Sequence, residues 1–298
     1  MSVHVVGSLN QDVFLSVPTL PAPGQTLAGS AISLAHGGKG LNQAVACARA
    51  GGVTTLVGCV GDDPAGVDLT AFARAAGVDV SGVSVSQDPT GTAHILRAAD
   101  GENCIVVIAG ANGAVAREQI EAGLAGIARG DIVVVQGEIP VSASDRAIGI
   151  AVESGARVVL NLAPVVEFSP ITLQHADPLV VNEVEAGLLL QLSAEEVAAD
   201  PRAAGARLLD LASSAVVTLG AAGAVVVEAG GISFVEAPRP DRVVDTTGAG
   251  DAFVGVLAAR LSRGKSLDEA ARSAVAAATF SVAMPGASDS YSDVFEEL

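Results

Sequence analysis

The sequence is poor in cysteine, in aromatic residues and in positive charge. Its three cysteines lie far apart and show no C-x-x-C spacing, which argues against a disulfide framework or a zinc site and favours buried, reduced thiols. Tryptophan is absent and aromatic residues make up only 3% of the chain, so Val, Leu, Ile and Ala must form the core. The net charge of −17 argues strongly against nucleic-acid backbones and anionic membranes as partners.

Long apolar segments are also missing. No run of about 20 residues is apolar enough to span a bilayer. The N-terminus, Met1 to Gly7, lacks the basic region of a signal peptide and predicts a first strand instead. The four histidines are scattered and offer no metal-ligand spacing. We therefore expect a cytoplasmic protein that has no membrane partner.

What the sequence does contain is a regular alternation of short apolar runs and helical patterns. The predicted strands are 53–60, 131–136, 156–161, 179–182, 215–219 and 224–228. The predicted helices are 65–76, 116–129, 143–154, 183–192, 202–212, 252–262 and 267–284. The strand runs are continuously apolar, which indicates burial on both faces. This alternation predicts an α/β fold in which residues 1–298 form one domain, with a mostly parallel central sheet flanked by helices.

Two segments interrupt the alternation. Residues 12–36 contain strand-like pieces at 13–17 and 26–34 with prolines between them, and residues 92–108 contain two more around the turn Asp100-Gly101. Four strands without an intervening helix predict a small antiparallel sheet. We expect this sheet to form a lid over the substrate end, and its exposed face to be the contact surface of a homodimer.

The run Asp245-Thr-Thr-Gly-Ala-Gly-Asp251 opens directly into a helical pattern. Two glycines at a helix N-terminus allow close approach of a ligand, and the unpaired N–H groups and helix dipole there hold anionic oxygens. A carboxylate in the same turn suits a reaction in which Asp251 takes a proton from a hydroxyl that attacks a nearby phosphate. Taken alone, the run is also compatible with a simple structural turn.

A second glycine cluster, Gly37-Gly38-Lys39-Gly40-Leu41-Asn42-Gln43-Ala44, runs into an alanine-rich helix. The cluster matches neither a Walker A loop nor the dinucleotide fingerprint. Its glycines indicate either a close approach to a ligand or simply a structural turn. Asn10 and Asp12 follow the first strand, where open α/β sheets bind ligands. In an extended chain both side chains point to one side. With Asn42 they predict a polar cluster suited to vicinal hydroxyls, unless they merely form an Asx turn.

These three motifs occur in the order and at the spacing of a known family. Together they resemble the ribokinase/PfkB-like carbohydrate kinases, and the form of the 37–44 cluster with Asn10 and Asp12 points to the ribokinase branch. The resemblance continues through Thr90-Gly91, Gly110-Ala111-Asn112, Asn161-Leu162-Ala163-Pro164, Asn182-Glu183-Val184-Glu185 and Thr218-Leu219-Gly220. It implies a Rossmann-like fold with a β lid, and ATP-dependent phosphorylation of a sugar, first of all D-ribose at O5.

The resemblance also implies roles for individual residues. Asp251 is the implied catalytic base, and the amides of Gly248, Ala249 and Gly250 are the implied anion hole. The residues implied to bind the sugar together with Asp251 are Asn10, Asp12, Gly38, Asn42 and Glu138, with Lys39 in the loop beside it. The residues implied to bind the nucleotide are Asn182, Thr218, Gly220, Ala221, Gly223 and Gly250.

The implied cofactors are ATP, Mg²⁺ and K⁺. Glu185 is implied in an indirect contact with Mg²⁺. The positions expected to bind a monovalent cation, mostly through carbonyl oxygens, are Asp245, Thr247, Ser281, Met284, Gly286 and Ser290. Two positions depart from the family pattern. Val275 lies where some relatives place a polar residue near the nucleotide. Met284-Pro285-Gly286 is less basic than in relatives, and its proline constrains the turn beside the cation positions.

Three alternatives stay open from the sequence alone. A related kinase for deoxyribose, another sugar or a nucleoside shares the same motifs, although Phe14 is the only aromatic side chain in the lid segments, which favours a small polyol over a stacked base. A non-catalytic sugar-binding protein would not need Asp251 beside the glycine run. A nucleotide-dependent oxidoreductase lacks its fingerprint.

Overall fold

A computed structural model describes residues 1–298 and contains two β-sheets and ten α-helices. The strands are β1 Val3–Val6, β2 Asn10–Val17, β3 Ala31–Gly37, β4 Thr54–Gly61, β5 Asp79–Ser86, β6 Gly91–Ala98, β7 Asn103–Ile108, β8 Ile132–Val135, β9 Arg157–Asn161, β10 Ala176–Asn182, β11 Ala215–Thr218, β12 Gly223–Glu228 and β13 Gly231–Glu236. The helices are α1 Lys39–Arg49, α2 Pro64–Ala75, α3 Arg117–Gly123, α4 Val141–Ser154, α5 Pro170–Leu173, α6 Glu183–Leu190, α7 Ala194–Ala199, α8 Pro201–Leu208, α9 Ala249–Ser262 and α10 Leu267–Ser281.

The large sheet has nine strands in the order β13-β12-β11-β10-β9-β8-β1-β4-β5. Every neighbouring pair from β11 to β5 is parallel, and β12 and β13 add antiparallel strands at one edge. The predicted mostly parallel sheet is confirmed. The strand order reverses at β1, which lies between β4 and β8. In open α/β sheets, ligands bind in the crevice at the carboxyl ends of the strands where this reversal occurs.

Helices cover both faces of the large sheet because its strands are apolar on both faces. Val3 and Val5 of β1 belong to a core that includes residues of α1, α2, α9 and α10, whereas Val6 belongs to a second core with residues of α3, α4, α6 and α8. Successive strand residues point to opposite faces, so one run of valines fills both cores. Each fully buried valine contributes about 1.5–3 kcal/mol to stability.

The small sheet has the order β3-β2-β6-β7. The pairs β2/β3 and β6/β7 are antiparallel, but β2 and β6 run parallel. The predicted antiparallel arrangement therefore holds within each pair but not across the sheet. The reason is that β2 continues from β1 and β6 continues from β5, two parallel strands of the large sheet, so both leave its carboxyl edge in the same direction.

Several predicted boundaries shift for local reasons. Helix α3 ends at Gly123 rather than at 129, since glycine disfavours helix continuation. Helix α10 ends at Ser281 rather than at 284, because the residue before Pro285 is driven away from the helical conformation. The strand predicted at 26–34 begins only at Ala31. The edge strands β5 and β13 and the short helices α5 and α7 were missed.

The cysteines follow the prediction in part. Cys47 and Cys59 are buried free thiols, and burial raises the pKa of Cys47 to about 12. Cys104 is a free thiol on β7 and is exposed, so the prediction of buried thiols is wrong for this residue. In none of the ten helices does an apolar run reach the length needed to cross a membrane.

Candidate active site

The carboxyl edge of the large sheet collects most of the polar residues singled out in the sequence. Parallel strands all end at this edge, so the residues that follow them become neighbours. Those at or just beyond the strand ends are Asn10 after β1, Glu138 after β8, Asn161 at β9, Asn182 at β10 and Thr218 at β11. The edge beside β1 is therefore a polar crevice at the reversal point of the sheet.

Helix α9 begins within the predicted glycine run. Gly248 is its N-cap with φ 78°, a left-handed conformation that glycine adopts without strain. The hydroxyl of Tyr291 donates a hydrogen bond of 2.6 Å to the Gly248 carbonyl. The helix starts at Ala249 rather than at 252, so Asp251 lies in its first turn. The N–H of Ala249 donates to the carbonyl of Thr246 over 3.3 Å, whereas the N–H groups of Gly250 and Asp251 have no backbone acceptor and are available to an anion.

Helices α1 and α9 pack very closely at Gly255, one turn after Asp251. A Cβ atom at Gly255 would lie 2.5 Å from the Cβ of Ala46. The close approach brings two amide side chains of α1 to the carboxylate: Nδ2 of Asn42 donates to Oδ2 of Asp251 over 3.1 Å, and Nε2 of Gln43 donates to Oδ1 over 2.9 Å. Asp251 is only 7% exposed, so amide donors replace water around it.

The start of α1 is held against the end of β1. Gly38 is the N-cap of α1 with φ 92°, and a Cβ atom at Gly40 would lie 2.5 Å from the backbone of Gly7. Lys39 lies between these glycines, and its Nζ is 3.9 Å from Oδ1 of Asp251. The Asp251 carboxylate raises the pKa of Lys39 in spite of its burial. The site therefore holds a charged lysine beside the carboxylate.

Glu138 contacts the same loop from the β8 side. Its Oε2 accepts a hydrogen bond of 2.5 Å from the Ser8 hydroxyl and one of 3.1 Å from the backbone N–H of Lys39. The second donor is the first residue of α1, where the helix dipole favours a negative charge. Glu138 therefore ties the ends of β1 and β8 to the start of α1.

Asn10 and Asp12 approach the site from the small sheet. Oδ1 of Asn10 accepts a hydrogen bond of 2.8 Å from Nδ2 of Asn112. Burial, and next the carboxylates of Glu138 and Asp251, raise the pKa of Asp12 to about 7. The pocket thus combines carboxyl and amide groups that can accept from and donate to hydroxyls.

Asn182 and Glu185 form a capping box at the start of α6. The backbone N–H of Asn182 donates to Oε2 of Glu185, and the backbone N–H of Glu185 donates to Oδ1 of Asn182, both over 2.8 Å. Burial raises the pKa of Glu185, while the charge of Lys39 acts to lower it and that of Asp251 to raise it. Glu185 therefore belongs to the electrostatic surroundings of the site.

Thr218 and the turn that follows it lie farther along the same edge. Gly220–Ala222 form a 3₁₀ turn, and Gly223 has φ 113°. A Cβ atom at Gly223 would overlap the carbonyl oxygen of Val235, so only glycine fits this turn. No hydrogen bond joins the turn to Asp251, and it forms a separate neighbouring surface.

Asp245 connects two loops beside the start of α9. Its Oδ1 accepts from the N–H and the hydroxyl of Thr247 over 2.9 and 2.6 Å, and its Oδ2 accepts from the N–H of Gly286 over 3.2 Å. Although burial acts in the opposite direction, these hydrogen bonds lower the pKa of Asp245. Asp245, Thr247 and Gly286 are therefore brought together, and their role in binding a cation stays a prediction.

The remaining predicted cation positions are not joined to Asp245 by their side chains. The hydroxyls of Ser281 and Ser290 donate to the carbonyls of Ala278 and Ala287 in their own turns. The Met284 residue is 42% exposed. Any contribution of these three residues to a cation site would come from their carbonyl oxygens, as the resemblance implies.

The small sheet reaches the Asp245 loop through Arg97. Nη2 of Arg97 lies 3.3 Å from Oδ2 of Asp245, and its guanidinium carbon lies 4.0 Å from the centre of the Phe14 ring. Through Arg97 the small sheet thus contacts the Asp245 loop, directly beside the N-terminus of α9.

Comparison with known proteins agrees with this geometry. The sequence matches the pfkB family of carbohydrate kinases over residues 1–293. This chain belongs to that family. Among the relatives of this carbohydrate kinase, ribokinase from Haemophilus influenzae is 38% identical over 291 residues, covering 97% of this chain and 94% of the relative. Ribokinase from Schizosaccharomyces pombe is 33% identical over 306 residues, covering 99% and 96% of the two chains.

Solved structures of ribokinases share the fold of this carbohydrate kinase. Ribokinase from Thermotoga maritima superposes with a TM-score of 0.88 at 30% identity, covering 100% of this chain and 98% of that one. Arabidopsis thaliana ribokinase complexed with ribose and ATP also gives a TM-score of 0.88 at 30% identity, with coverages of 99% and 96%. The resemblance and the fold predicted from the sequence are confirmed.

Most of the residues predicted to bind the sugar lie in one group in this carbohydrate kinase. The residues gathered around Asp251 and the start of α1 are Asn10, Asp12, Gly38, Lys39, Asn42 and Glu138. Sequence reasoning missed Gln43, Ser8, Asn112, Tyr291 and Arg97 as contacts of this region. Gln43 is adjacent to Asn42 within the motif, which was a usable signal. The contacts of Arg97 and Tyr291 join residues distant in the chain and leave no local pattern.

Proposed function

We propose that this carbohydrate kinase is an ATP-dependent ribokinase that phosphorylates D-ribose at O5. The observation that carries the proposal is a buried Asp251 in the first turn of α9, next to free N–H groups on one side and a polar pocket on the other. This arrangement suits a reaction between an anionic phosphate and a sugar hydroxyl. The ribokinases among its relatives support ribose as the sugar.

In the proposed reaction, Asp251 takes the proton from the primary hydroxyl of the sugar. The oxygen then attacks the γ-phosphorus, and ADP leaves. The amides of Gly248, Ala249 and Gly250 would stabilise the charge on the transferring phosphoryl group, because fixed N–H dipoles in a dry site need no reorganisation. Lys39 adds a positive charge 3.9 Å from Asp251.

We propose that the sugar lies between the small sheet and α1. Asn10, Asp12, Gly38, Asn42 and Glu138 would bind its hydroxyls, with Lys39 beside it. The pocket favours a small polyol over a nucleoside, because the small sheet contains a single phenylalanine, Phe14, and no tyrosine or tryptophan, and Arg97 covers one face of the Phe14 ring. A base would therefore find little aromatic surface of the lid on which to stack.

ATP would bind along the edge from α9 towards β11. The residues proposed to contact it are Asn182, Thr218, Gly220, Ala221, Gly223 and Gly250. Mg²⁺ commonly binds through one or two carboxylates together with substrate phosphates and water, and the lone carboxylate of Glu185 fits an indirect role of this kind. When bound, Mg²⁺ would neutralise phosphate charge.

A monovalent cation such as K⁺ would bind behind the N-terminus of α9. The proposed positions are Asp245, Thr247, Ser281, Met284, Gly286 and Ser290. One carboxylate with several carbonyl oxygens suits a hard cation. Asp245 already joins the loop of Thr247 to the loop of Gly286 through hydrogen bonds. The role proposed for the cation is to hold the loop from which the anion hole begins.

We further propose a homodimer formed through the small sheet. The strand register puts Ile32 and Leu34 of β3 and Val106 of β7 on one face of this sheet, and each of these apolar side chains is more than half exposed. Exposed apolar patches of this kind mark association surfaces. The use of ATP and the free thiols fit an enzyme that works in the cytoplasm.

The test of the function is ADP release from ATP-Mg²⁺ in the presence of K⁺, measured with ribose, deoxyribose, fructose, adenosine and cytidine. We expect strong turnover with ribose and little with the others. Preferential turnover of another acceptor would contradict ribose as the substrate but keep the phosphotransferase. No turnover with any acceptor would contradict the proposed function.

The test of the mechanism is Asp251→Asn. The amide keeps the size of the side chain but cannot take up the proton, so we expect ADP release to fall by at least about 100-fold, in line with the contribution of a general base. The matched control is Asp210→Asn, an exposed residue without a side-chain hydrogen bond, which should keep wild-type activity. An Asp251→Asn rate near that of the wild type would rule out this base.

A further inference from the structure

A chain of buried amide side chains lies behind Asp251 and has no place in the roles given so far. Gln43 is 0% exposed, Gln136 1% and Asn161 7%. Nε2 of Gln43 donates to Oδ1 of Asn161 over 2.9 Å, and Oε1 of Gln43 accepts from Nε2 of Gln136 over 2.8 Å. Burying amides is costly unless they are paired, and Oε1 of Gln136 is buried without a hydrogen-bond partner. An arrangement that carries this cost calls for a purpose beyond packing.

The orientation of every amide in this chain follows from one backbone carbonyl. Nδ2 of Asn161 donates to the carbonyl oxygen of Val180 over 3.1 Å, and a carbonyl can only accept. Oδ1 of Asn161 must therefore point towards Gln43, which has to present its N–H₂ group there. The second N–H of the same group is then directed at Oδ1 of Asp251, 2.9 Å away.

The other end of Gln43 is held as firmly. Its Oε1 faces Gln136, whose own position is confined because a Cβ atom at Gly7 would overlap the Gln136 side chain. Gln43 therefore cannot turn its amide over without placing its oxygen against both Asp251 and Asn161. The contacts with Gln136 and Asn161 therefore determine that Gln43 presents an N–H group, and not its oxygen, to Asp251.

The consequence for Asp251 is an asymmetric carboxylate. Oδ1 accepts from Gln43 and lies 3.9 Å from the Lys39 ammonium, whereas Oδ2 accepts only from Asn42 over 3.1 Å. Donors and positive charge stabilise negative charge on Oδ1, so Oδ2 is the more available of the two oxygens for a proton.

We infer that Gln43 is a positioning residue for Asp251: held by Gln136 and Asn161, it fixes the carboxylate so that Oδ2 faces the reacting hydroxyl. The inference rests on the proposed function, in which Asp251 is the base. In that step the O–H bond of the sugar breaks and the proton bonds to Oδ2. The sugar oxygen uses its electron pair to bond to the γ-phosphorus, while the bond from that phosphorus to the bridging oxygen breaks and its electron pair leaves with ADP. Gln43 itself touches neither sugar nor nucleotide in this scheme.

The experiment compares Gln43→Met and Gln43→Glu with the wild type. Methionine has a similar length and removes the N–H donors, while glutamate keeps the shape and the acceptor for Gln136 but directs an oxygen at Asp251. For each variant kcat and KM for ribose are measured by ADP release, ribose binding by calorimetry, and folding by the thermal midpoint. Gln174→Met, at an exposed position without a side-chain hydrogen bond, is the matched control.

We expect kcat to fall about 10- to 100-fold in Gln43→Met, because a misplaced catalytic group costs rate even when the substrate still binds. KM and ribose affinity should stay within about threefold of the wild type, since the interaction acts in the transition state. Gln43→Glu should lose at least as much kcat although it preserves the packing. Gln136→Met, one contact farther away, should show the same pattern more weakly and serves if Gln43→Met does not fold.

Equal losses in kcat and ribose affinity, or a Gln43→Glu variant as active as the wild type, would overturn the inference, because packing alone would then account for Gln43. The proposed function is tested separately by the wild type and Asp251→Asn in the same assay. If the wild type phosphorylates ribose, Asp251→Asn does not, and Gln43→Met matches Gln174→Met, only the positioning role fails.

Discussion

A single methyl group added at Gly255 would test whether the close packing of α1 against α9 positions the active-site residues. Gly255 lies in the middle of α9, and a Cβ atom there would stand 2.5 Å from the Cβ of Ala46 and 2.5 Å from the carbonyl oxygen of Gln43. Carbon atoms pack at about 3.5–4.0 Å, so Gly255→Ala requires α1 and α9 to separate by roughly 1 Å. The hydrogen bonds that join Asn42 and Gln43 to Asp251 span this contact.

Two effects on stability oppose each other in this variant. Replacing glycine by alanine within a helix is favourable by about 1 kcal/mol, whereas overpacking a tight contact costs about 1–3 kcal/mol. The control Gly149→Ala has the first effect alone, because the nearest atom to its new Cβ is 4.0 Å away in α4. We expect the control to gain about 2–4 °C in Tm and Gly255→Ala to gain nothing or lose a few degrees.

The effect on activity should be much larger than the effect on stability. A displacement of about 1 Å at a catalytic group can reduce the rate by about 100-fold, so kcat/KM for ribose should fall by that order in Gly255→Ala and stay unchanged in Gly149→Ala. The assays are ADP release and thermal unfolding of both variants. If Gly255→Ala gained stability like the control and kept its kcat/KM, close packing of α1 against α9 would not be what positions Asp251.

Two further predictions concern the small sheet. The pKa of Asp12 is about 7 in the folded protein against a usual value of 3.8. Between these pH values the folded protein keeps a proton that the unfolded chain releases. The free energy of unfolding should therefore fall as the pH rises from about 4 to about 7 and then level off. Asp12→Asn should remove this dependence, matching the wild type near pH 4 and exceeding its Tm at pH 8; parallel Tm curves would contradict the argument. Leu34→Asp, on the exposed apolar surface of the small sheet, should convert a dimer into monomers in sedimentation experiments. The control Val53→Asp changes a valine that is also exposed but lies outside this sheet, and it should leave the dimer intact. A dimer that persists in Leu34→Asp would rule out the small sheet as the interface.

Much of the fold followed from local patterns in the chain. The valine runs predicted buried parallel strands because period and composition report burial on both faces, and the comparisons confirmed the family that the glycine motifs indicated. Failures occurred where local signals are weak. The edge strands β5 and β13 were missed, and α3 ended early at Gly123. The parallel pairing of β2 with β6 could not be predicted, because it depends on where two distant strands leave the large sheet.

In the candidate site, too, some features follow from local sequence and others depend on tertiary packing. Local sequence is enough to place Gly248 and Asp251 at one helix start and Lys39 and Asn42 at another, because these residues are only a few positions apart and their relation follows from helix geometry. Three other features depend on how the chain packs: the two helix starts meet, Gln43 rather than water donates to Asp251, and Asp12 is buried among carboxylates. The physical reason is that those relations depend on the packing distance between α1 and α9 and on desolvation, both of which are properties of the assembled chain and not of any segment within it.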